Sequence, residues 1–440
     1  MAGMAALSAA LPVGAELLSE ADAKIDIAPY SLEVSRGRFL KTIAYNQQVP
    51  GALLRMQEGR PVTIDVTNHS GNDEIVHWHG MFLPPEVDGA MEEGTPHIAK
   101  GATTRYTFTP SPAGFRWYHT HTFAGRDLNK GQYTGQHGFL MIEPRENPAR
   151  YDQEIFLALH DWRGSLLASD DGSMNPVYDI STINGRTMGF GEPLRVKQGQ
   201  RVLFHVLNSS ATEVHWISFA GHSFHVIALD GNEVPNPATV SMLRLAPAER
   251  VSAVVEMNNP GVWTLGEVRK HVMAAGMGVV VEYAGAQGKP RWDQPNDLVW
   301  DYLQFGTTVA VSVAETGAVE IPLVFESKFA GHGAMDRFTI NGKSFPDTET
   351  IALTHDQRYR LIFRNKSTDD HPVHLHRHTF ELRRIADQPQ TRGILKDVVL
   401  VAGGTEVEVE FTASHPGLTL FHCHQQNHMD DGFMMLFRYV

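Results

Sequence analysis

From Lys24 onward the chain runs in short apolar or alternating segments, such as Val62 to Val66 and Thr104 to Phe108, punctuated by Gly, Pro, Asn and Asp. Alternation with period two puts successive side chains on opposite faces of a strand, and turns at such intervals predict β-sandwiches or barrels. The pattern is interrupted twice by polar, proline-containing stretches, at Glu143 to Pro148 and at Gly285 to Asn296. The chain is expected to divide there, giving domains of 24–148, 149–290 and 291–440. A chain of 440 residues is too long for one hydrophobic core, which agrees with several domains.

The segments repeat. Asn208 to Asp230 lines up with Asn365 to Ala386, so that His215 falls on His371, Ser218 on His374, Ala220 on His376, His222 on His378 and Phe224 on Phe380. Asn68 to Gly80 is a third copy, with Glu74 in the place of His371 and with His77 and His79 on His374 and His376. The ends agree too. Gly114 to His121, Gly261 to Val268 and Gly417 to His424 superpose on their leading glycines, so that Thr120 and Glu267 stand opposite Cys423. One sandwich unit therefore occurs three times.

This alignment concentrates the chemistry in the first and last copies. Each carries two pairs of histidines at i, i+2 spacing: His77 with His79, His119 with His121, His374 with His376, and His422 with His424. On a strand each pair projects to one side, so eight imidazoles converge if the two copies pack together, enough for three metal ions. The middle copy has Ser218, Ala220, Gly266 and Val268 at those positions and is expected to be a spacer and a wall on the substrate side. Cys423 is the only cysteine, so no intrachain disulfide is available to it. It points away from His422 and His424 on a strand, and with His428 it forms part of the Cys and two-His set of a blue copper site. The alternative, taken alone, is an inert buried cysteine.

Composition narrows the partners. The net charge of -13 argues against nucleic acid or an anionic membrane, whereas 23 histidines are an unusual number. No apolar run reaches eighteen residues, so no membrane-spanning helix is expected. Met1 to Ala15 is a short apolar run ending in small residues, without a charged leader before it. It reads as the remnant of an export signal, with residues 1–23 outside the fold and a periplasmic or secreted location, or else as an apolar helix.

Four motifs in order, HWHG, WYHTH, HPVHLH and HCHQQNHMDDGFM, together resemble the multicopper oxidases, specifically the three-domain laccase-like group, from about Lys24 to Val440. The resemblance implies an all-β chain of three cupredoxin-like Greek-key β-sandwiches and a cofactor set of four copper ions, one type 1, one type 2 and two type 3. It makes His371, Cys423 and His428 the type 1 ligands, His77 and His374 the type 2 ligands, and His79, His119, His121, His376, His422 and His424 the type 3 ligands. It also makes Cys423, His422 and His424 the electron route and gives Asp88 a place beside the oxygen site, the alternative being an ordinary Asp-Gly turn. Phe433, five residues after His428, stands at the axial position where many bacterial relatives carry Met, with Met434 one place too far. Gln425, Gln426, Asn427 and Met429 occupy the neighbourhood where some relatives carry a proton-delivering carboxylate, with Asp430 and Asp431 slightly beyond. His97, His222, His225 and His378 are expected to be structural.

The activity implied is one-electron oxidation of small phenols or aromatic amines, coupled to four-electron reduction of dioxygen to water. Oxidation of Cu(I) or Fe(II) is the alternative; a Met-rich insertion near the last domain would favour Cu(I), but the sixteen Met are scattered, with Met273, Met277, Met434 and Met435 the nearest approach to clustering. A copper carrier with a degenerate oxygen site is disfavoured by the full set of ten histidines and Cys423.

Overall fold

A computed structural model describes residues 20–146, 151–168, 172–295, 297–308, 317–388 and 391–440. The apolar run Met1 to Ala15 lies outside the described residues; of the segment 1–23 expected to precede the fold only 20–23 are described, and Ala23 already begins the first strand.

The chain is built almost wholly of strands. The alternation in Val62–Asn68 is realised as buried Val62, Ile64 and Val66 between partly exposed Thr63, Asp65 and Thr67. A slip of one residue would turn this apolar set out to water, so burial fixes the register.

The strands form three sandwiches of the same plan. In the first, Arg38–Tyr45, Ala23–Ser35, Val62–Asn68 and Thr103–Phe108 make one sheet, and Gly51–Gln57, His137–Glu143, Gly114–Thr120 and Val76–His79 make the other. The middle and last sandwiches each pair a six-stranded sheet with a five-stranded one. In all three the opening strand lies parallel to the strand that ends in the aligned asparagine: Ala23–Ser35 with Val62–Asn68, Gln153–Trp162 with Arg201–Asn208, and Val319–Lys328 with Arg358–Asn365.

Side chains repeat as faithfully as strands. Asn68, Asn208 and Asn365 each donate through Nδ2 to two backbone carbonyls and accept the N–H of the residue two places on, Ser70, Ser210 or Ser367. This ties the strand end to the loop that carries the aligned Glu74, His215 or His371. His222 and His378 also match: the Nδ1 of each bonds the carbonyl two residues back, and the Nε2 of each meets the hydroxyl of Tyr283 or Tyr439 at 2.6 Å. His225 meets the Thr239 hydroxyl at the surface.

Candidate metal centre

The four histidine pairs lie on strands or at their ends, and the strands are in register. His77 is paired with His119 across Val76–His79 and Gly114–Thr120, and His374 with His422 across His371–Leu375 and Leu418–Cys423. Two strands of the first sandwich thus face two strands of the last, and all eight imidazoles are buried. They sort by donor distance into His77, His79 and His374; into His79, His119 and His424; and into His121, His376 and His422. Nε2 of His376 and His422 approach to 3.0 Å, and Nε2 of His121 and His422 to 3.4 Å.

Most outward nitrogens are hydrogen-bonded, whereas the inward ones meet only one another or nothing. Nδ1 of His77, His119, His374 and His422 bonds the backbone carbonyl of Asp88, Thr120, Asp397 and Cys423 respectively, at 2.7–2.8 Å. Nδ1 of His376 donates to Asp88 Oδ2 at 2.9 Å. His79 is turned the other way: its Nε2 meets Asp397 Oδ1 at 3.1 Å, leaving Nδ1 facing inward. Among the described residues, Nε2 of His77, His119 and His374, Nδ1 of His79 and both nitrogens of His424 are buried without a hydrogen-bond partner. Buried polar atoms are rarely left unpaired, so an enclosed set of aimed lone pairs fits cations held at its centre. Burial, reinforced by neighbouring imidazoles, pushes His79, His119, His374, His376, His422 and His424 well below the usual histidine range. They stay neutral, the form that binds a metal.

The second constellation lies within the last sandwich. Cys423 Sγ is 3.7 Å from His371 Nδ1 and 3.5 Å from His428 Nδ1, and the two Nδ1 atoms are 3.0 Å apart. His428 is carried there by the short helix Gln426–Asp430, and the outer nitrogen of His371 meets the Ser367 hydroxyl at 3.0 Å. Burial pushes the Cys423 thiol up, so it is no free nucleophile; a bound cation would reverse that and draw out the thiolate. Thiolate with two imidazoles in a triangle is the donor set of blue copper. Phe433 packs on His371 with ring centroids 4.7 Å apart, while Met434 packs with Leu420 and Met429 in a separate cluster.

Asp88 is both a turn residue and a site residue. It ends the helix Pro85–Asp88, and Gly89 follows at φ 108, where a Cβ would come within 2.1 Å of the Val76 carbonyl. Through that turn its carbonyl reaches His77 and its carboxylate reaches His376. Glu93 is also near, 3.6 Å from His376 Nδ1, with Oε1 accepting the Leu420 N–H. Sequence reasoning missed Glu93 and Asp397. For Asp397 the available signal was a charged pair, Lys396 and Asp397, set directly before the apolar run Val398–Val401. His121 forms part of the wall of a cavity of about 240 Å³, shared with Glu74, His97, Phe123, Lys130 and Gln136. Glu74, which stands where the last copy has His371, is buried there and accepts Gln136 Nε2 at 2.9 Å. His97 is exposed at the cavity rim. Asp430 accepts the N–H groups of Ala124 and Gly125 and the Gln426 amide, and burial raises it to about 7.

Three successive family models, each described as multicopper oxidase, match residues 29–147, 155–279 and 321–440. The chain is 28% identical to multicopper oxidase MmcO of Mycobacterium tuberculosis, over 92% of this chain and 84% of that protein. It is 25% identical to Laccase-4 of Thanatephorus cucumeris, over 87% and 82%. Its fold matches that of Fet3p, a multicopper oxidase that functions in iron import, with a TM-score of 0.79 and 20% identity, covering 95% of this chain and 90% of that one. With its three cupredoxin-like sandwiches, its buried histidine clusters and family matches along most of its length, the chain belongs to the multicopper oxidase family, copper enzymes that take oxygen as acceptor.

Proposed function

We propose that the protein binds four copper ions and is a laccase-like oxidase of phenols or aromatic amines. Cys423, His371 and His428 would hold the type 1 ion, and His77 and His374 the type 2 ion. The type 3 pair would fall to His121, His376 and His422 on one side and to His79, His119 and His424 on the other. The observation that carries this reading is the adjacency of Cys423 to His422 and His424, which joins the thiolate site to both imidazole triads by covalent bonds. Copper bound there would supply one-electron oxidation of the reductant at the thiolate site and four-electron reduction of dioxygen to water at the imidazole cluster.

The surroundings of His371 and His428 support an organic reductant. The outer nitrogen of His371 meets a neutral hydroxyl, and the rings of Phe338 and His428 lie 4.0 Å apart. An aromatic, neutral setting suits an aromatic donor better than a hydrated cation. The second reading is oxidation of Fe(II) or Cu(I). It draws on the likeness to Fet3p and on Asp431, a carboxyl three residues past His428 that burial raises, with Arg337, Arg126 and Asp336 around it. An exported location, periplasmic or secreted, belongs to the same proposal and rests on the apolar residues 1–15.

Oxygen uptake by copper-loaded protein, measured in parallel with phenols, aromatic amines, Cu(I) and Fe(II), separates the readings. Faster turnover on the organic donors is expected. A specificity constant for either metal ion well above those for all organic donors would replace the first reading with the second.

A further inference from the structure

We infer that Arg250 of the middle sandwich is a positioning residue for the three-ion cluster, acting through Asp397 on His79 and His374. The inference rests on the copper reading above but concerns a sandwich that supplies no ligand to it. Asp397 orients a histidine from each of the other two sandwiches. Its carboxylate accepts from His79 Nε2 at 3.1 Å, and its backbone carbonyl accepts from His374 Nδ1 at 2.7 Å. The first contact is the reason His79 turns Nδ1 inward while His77, His119, His374, His376 and His422 turn Nε2 inward. A carboxylate that fixes which imidazole nitrogen is free controls both the aim and the basicity of the ligand.

Arg250 in turn fixes the carboxylate. Its two terminal nitrogens each meet one oxygen of Asp397 at 2.6 Å, a fork-to-fork pair whose plane leaves the carboxylate a single orientation. Arg250 is held by the carbonyls of Ala248 and Asp230 at 3.1 and 3.0 Å, and Arg116 stands 3.4 Å from Asp397 Oδ2. Arg250, Asp397, His79 and His374 are all fully buried. The close approach is built into the first sandwich as well. Gly80, directly after His79, has φ 82, and a Cβ there would lie 2.6 Å from Asp397 Oδ2 and 2.9 Å from Arg250 Nη2. The glycine of the HWHG motif is thus where the three sandwiches meet, and the middle one is no mere spacer. Without Arg250 the carboxylate keeps only the looser Arg116, and His79 is free to turn Nε2 to the cluster.

The test uses the full chain, copper-loaded, as wild type, Arg250→Met and Arg250→Lys. The readouts are copper per chain, the paramagnetic resonance of the cluster, and the blue band of the Cys423 site as an internal control. In Arg250→Met the blue band should remain while the cluster loses copper affinity by about 10–100-fold, the usual effect of removing an outer partner of a ligand histidine. Arg250→Lys, which keeps the charge but not the fork, should fall between, and Asp397→Asn should repeat the pattern of Arg250→Met. A fully loaded cluster with unchanged resonance in Arg250→Met would overturn the inference. Equal loss of both sites in Arg250→Met and in Arg250→Lys would also overturn it, reducing Arg250 to an interface ion pair. If Arg250→Met does not fold, Arg250→Lys decides between these outcomes. Wild type that binds no copper would instead refute the copper reading itself.

Discussion

Phe433 lies with its ring 4.7 Å from the imidazole of His371, and its backbone closes the loop that carries Cys423 and His428. The Phe433 N–H donates to the His428 carbonyl at 2.9 Å, and its own carbonyl accepts the Cys423 N–H at 3.1 Å. The ring belongs to the core that contains Cys423, whereas Met434 turns to the opposite face. A phenyl ring donates no electron pair, so the type 1 site would lack an axial ligand on this side, and Cu(I) is relatively favoured. Phe433→Met should lower the reduction potential by tens of millivolts, on a scale where about 59 mV is a tenfold change for one electron. Met434→Leu should leave it unchanged. Redox titration of both variants checks this, and a potential that rises on losing Met434 would make Met434 the ligand.

Replacing one sulfur by oxygen isolates the thiolate site. In Cys423→Ser the blue band and turnover should vanish while about three coppers per chain remain, since no imidazole of the cluster contacts Sγ. Absorption and copper analysis on one sample suffice, and a persistent blue band would sink the assignment of Cys423.

The local half of this architecture was legible in the sequence. Histidines two apart share a strand face, and three aligned copies told which pairs belong together; the structure brings His77 opposite His119 and His374 opposite His422. The non-local half was not. Nothing near His79 foretells that its outer partner is Asp397, far along the chain, or that Arg250 from the middle sandwich would clamp that carboxylate. A ladder of apolar residues sets strand register, but which loops meet at a three-way junction depends on packing between sandwiches. The loss of ligands from the middle copy, read as loss of any part in the site, hid Arg250. Asp88 shows the same limit: its turn was legible from Asp-Gly, its place beside the oxygen site only from the resemblance, and its bond to His376 from neither.

Asp88→Asn should slow reoxidation by dioxygen about 10–100-fold and leave reduction of the type 1 site by substrate within about twofold. The carboxylate accepts the His376 Nδ1–H at 2.9 Å, and an amide can instead turn its own N–H groups toward that ring. The turn capped by Gly89 is untouched by the exchange, so the His77 contact to the Asp88 carbonyl should survive. Stopped-flow measurement of the two half-reactions checks the prediction. Equal slowing of both, or of neither, would leave Asp88 only its turn.

At the positions aligned with His371 and Cys423 the middle sandwich carries an ion cluster, and that cluster should be visible in its pH dependence. His215, aligned with His371, is buried with Nε2 2.8 Å from Asp161 and Nδ1 3.2 Å from Glu267, the residue aligned with Cys423. Burial alone would lower the imidazole, but the two carboxylates outweigh it and hold it up at about 9. Burial would likewise raise Asp161 and Glu267, yet His215, together with the Ser181 and Ser210 hydroxyls on Asp161 and Arg269 on Glu267, brings each down to about 2. The raised histidine stabilises the fold fully below its ordinary value of 6.5, and that contribution is lost as pH rises through about 9. The lowered carboxylates stabilise it above their ordinary values of 3.8 and 4.5, and that contribution is lost as pH falls toward about 2. A shift of this size corresponds to about 3 kcal/mol at full effect. Between pH 6.5 and 9 the copper-free wild type should therefore lose stability relative to His215→Gln, which is weaker at pH 5.5 but carries no titrating group at this position. Denaturant midpoints of both proteins across that range give the difference, in which groups not coupled to His215 cancel. Parallel curves would show that His215 is neutral in the folded protein, and the cluster would then be an ordinary hydrogen-bonded histidine rather than an ion triad at the position aligned with the Cys423 site.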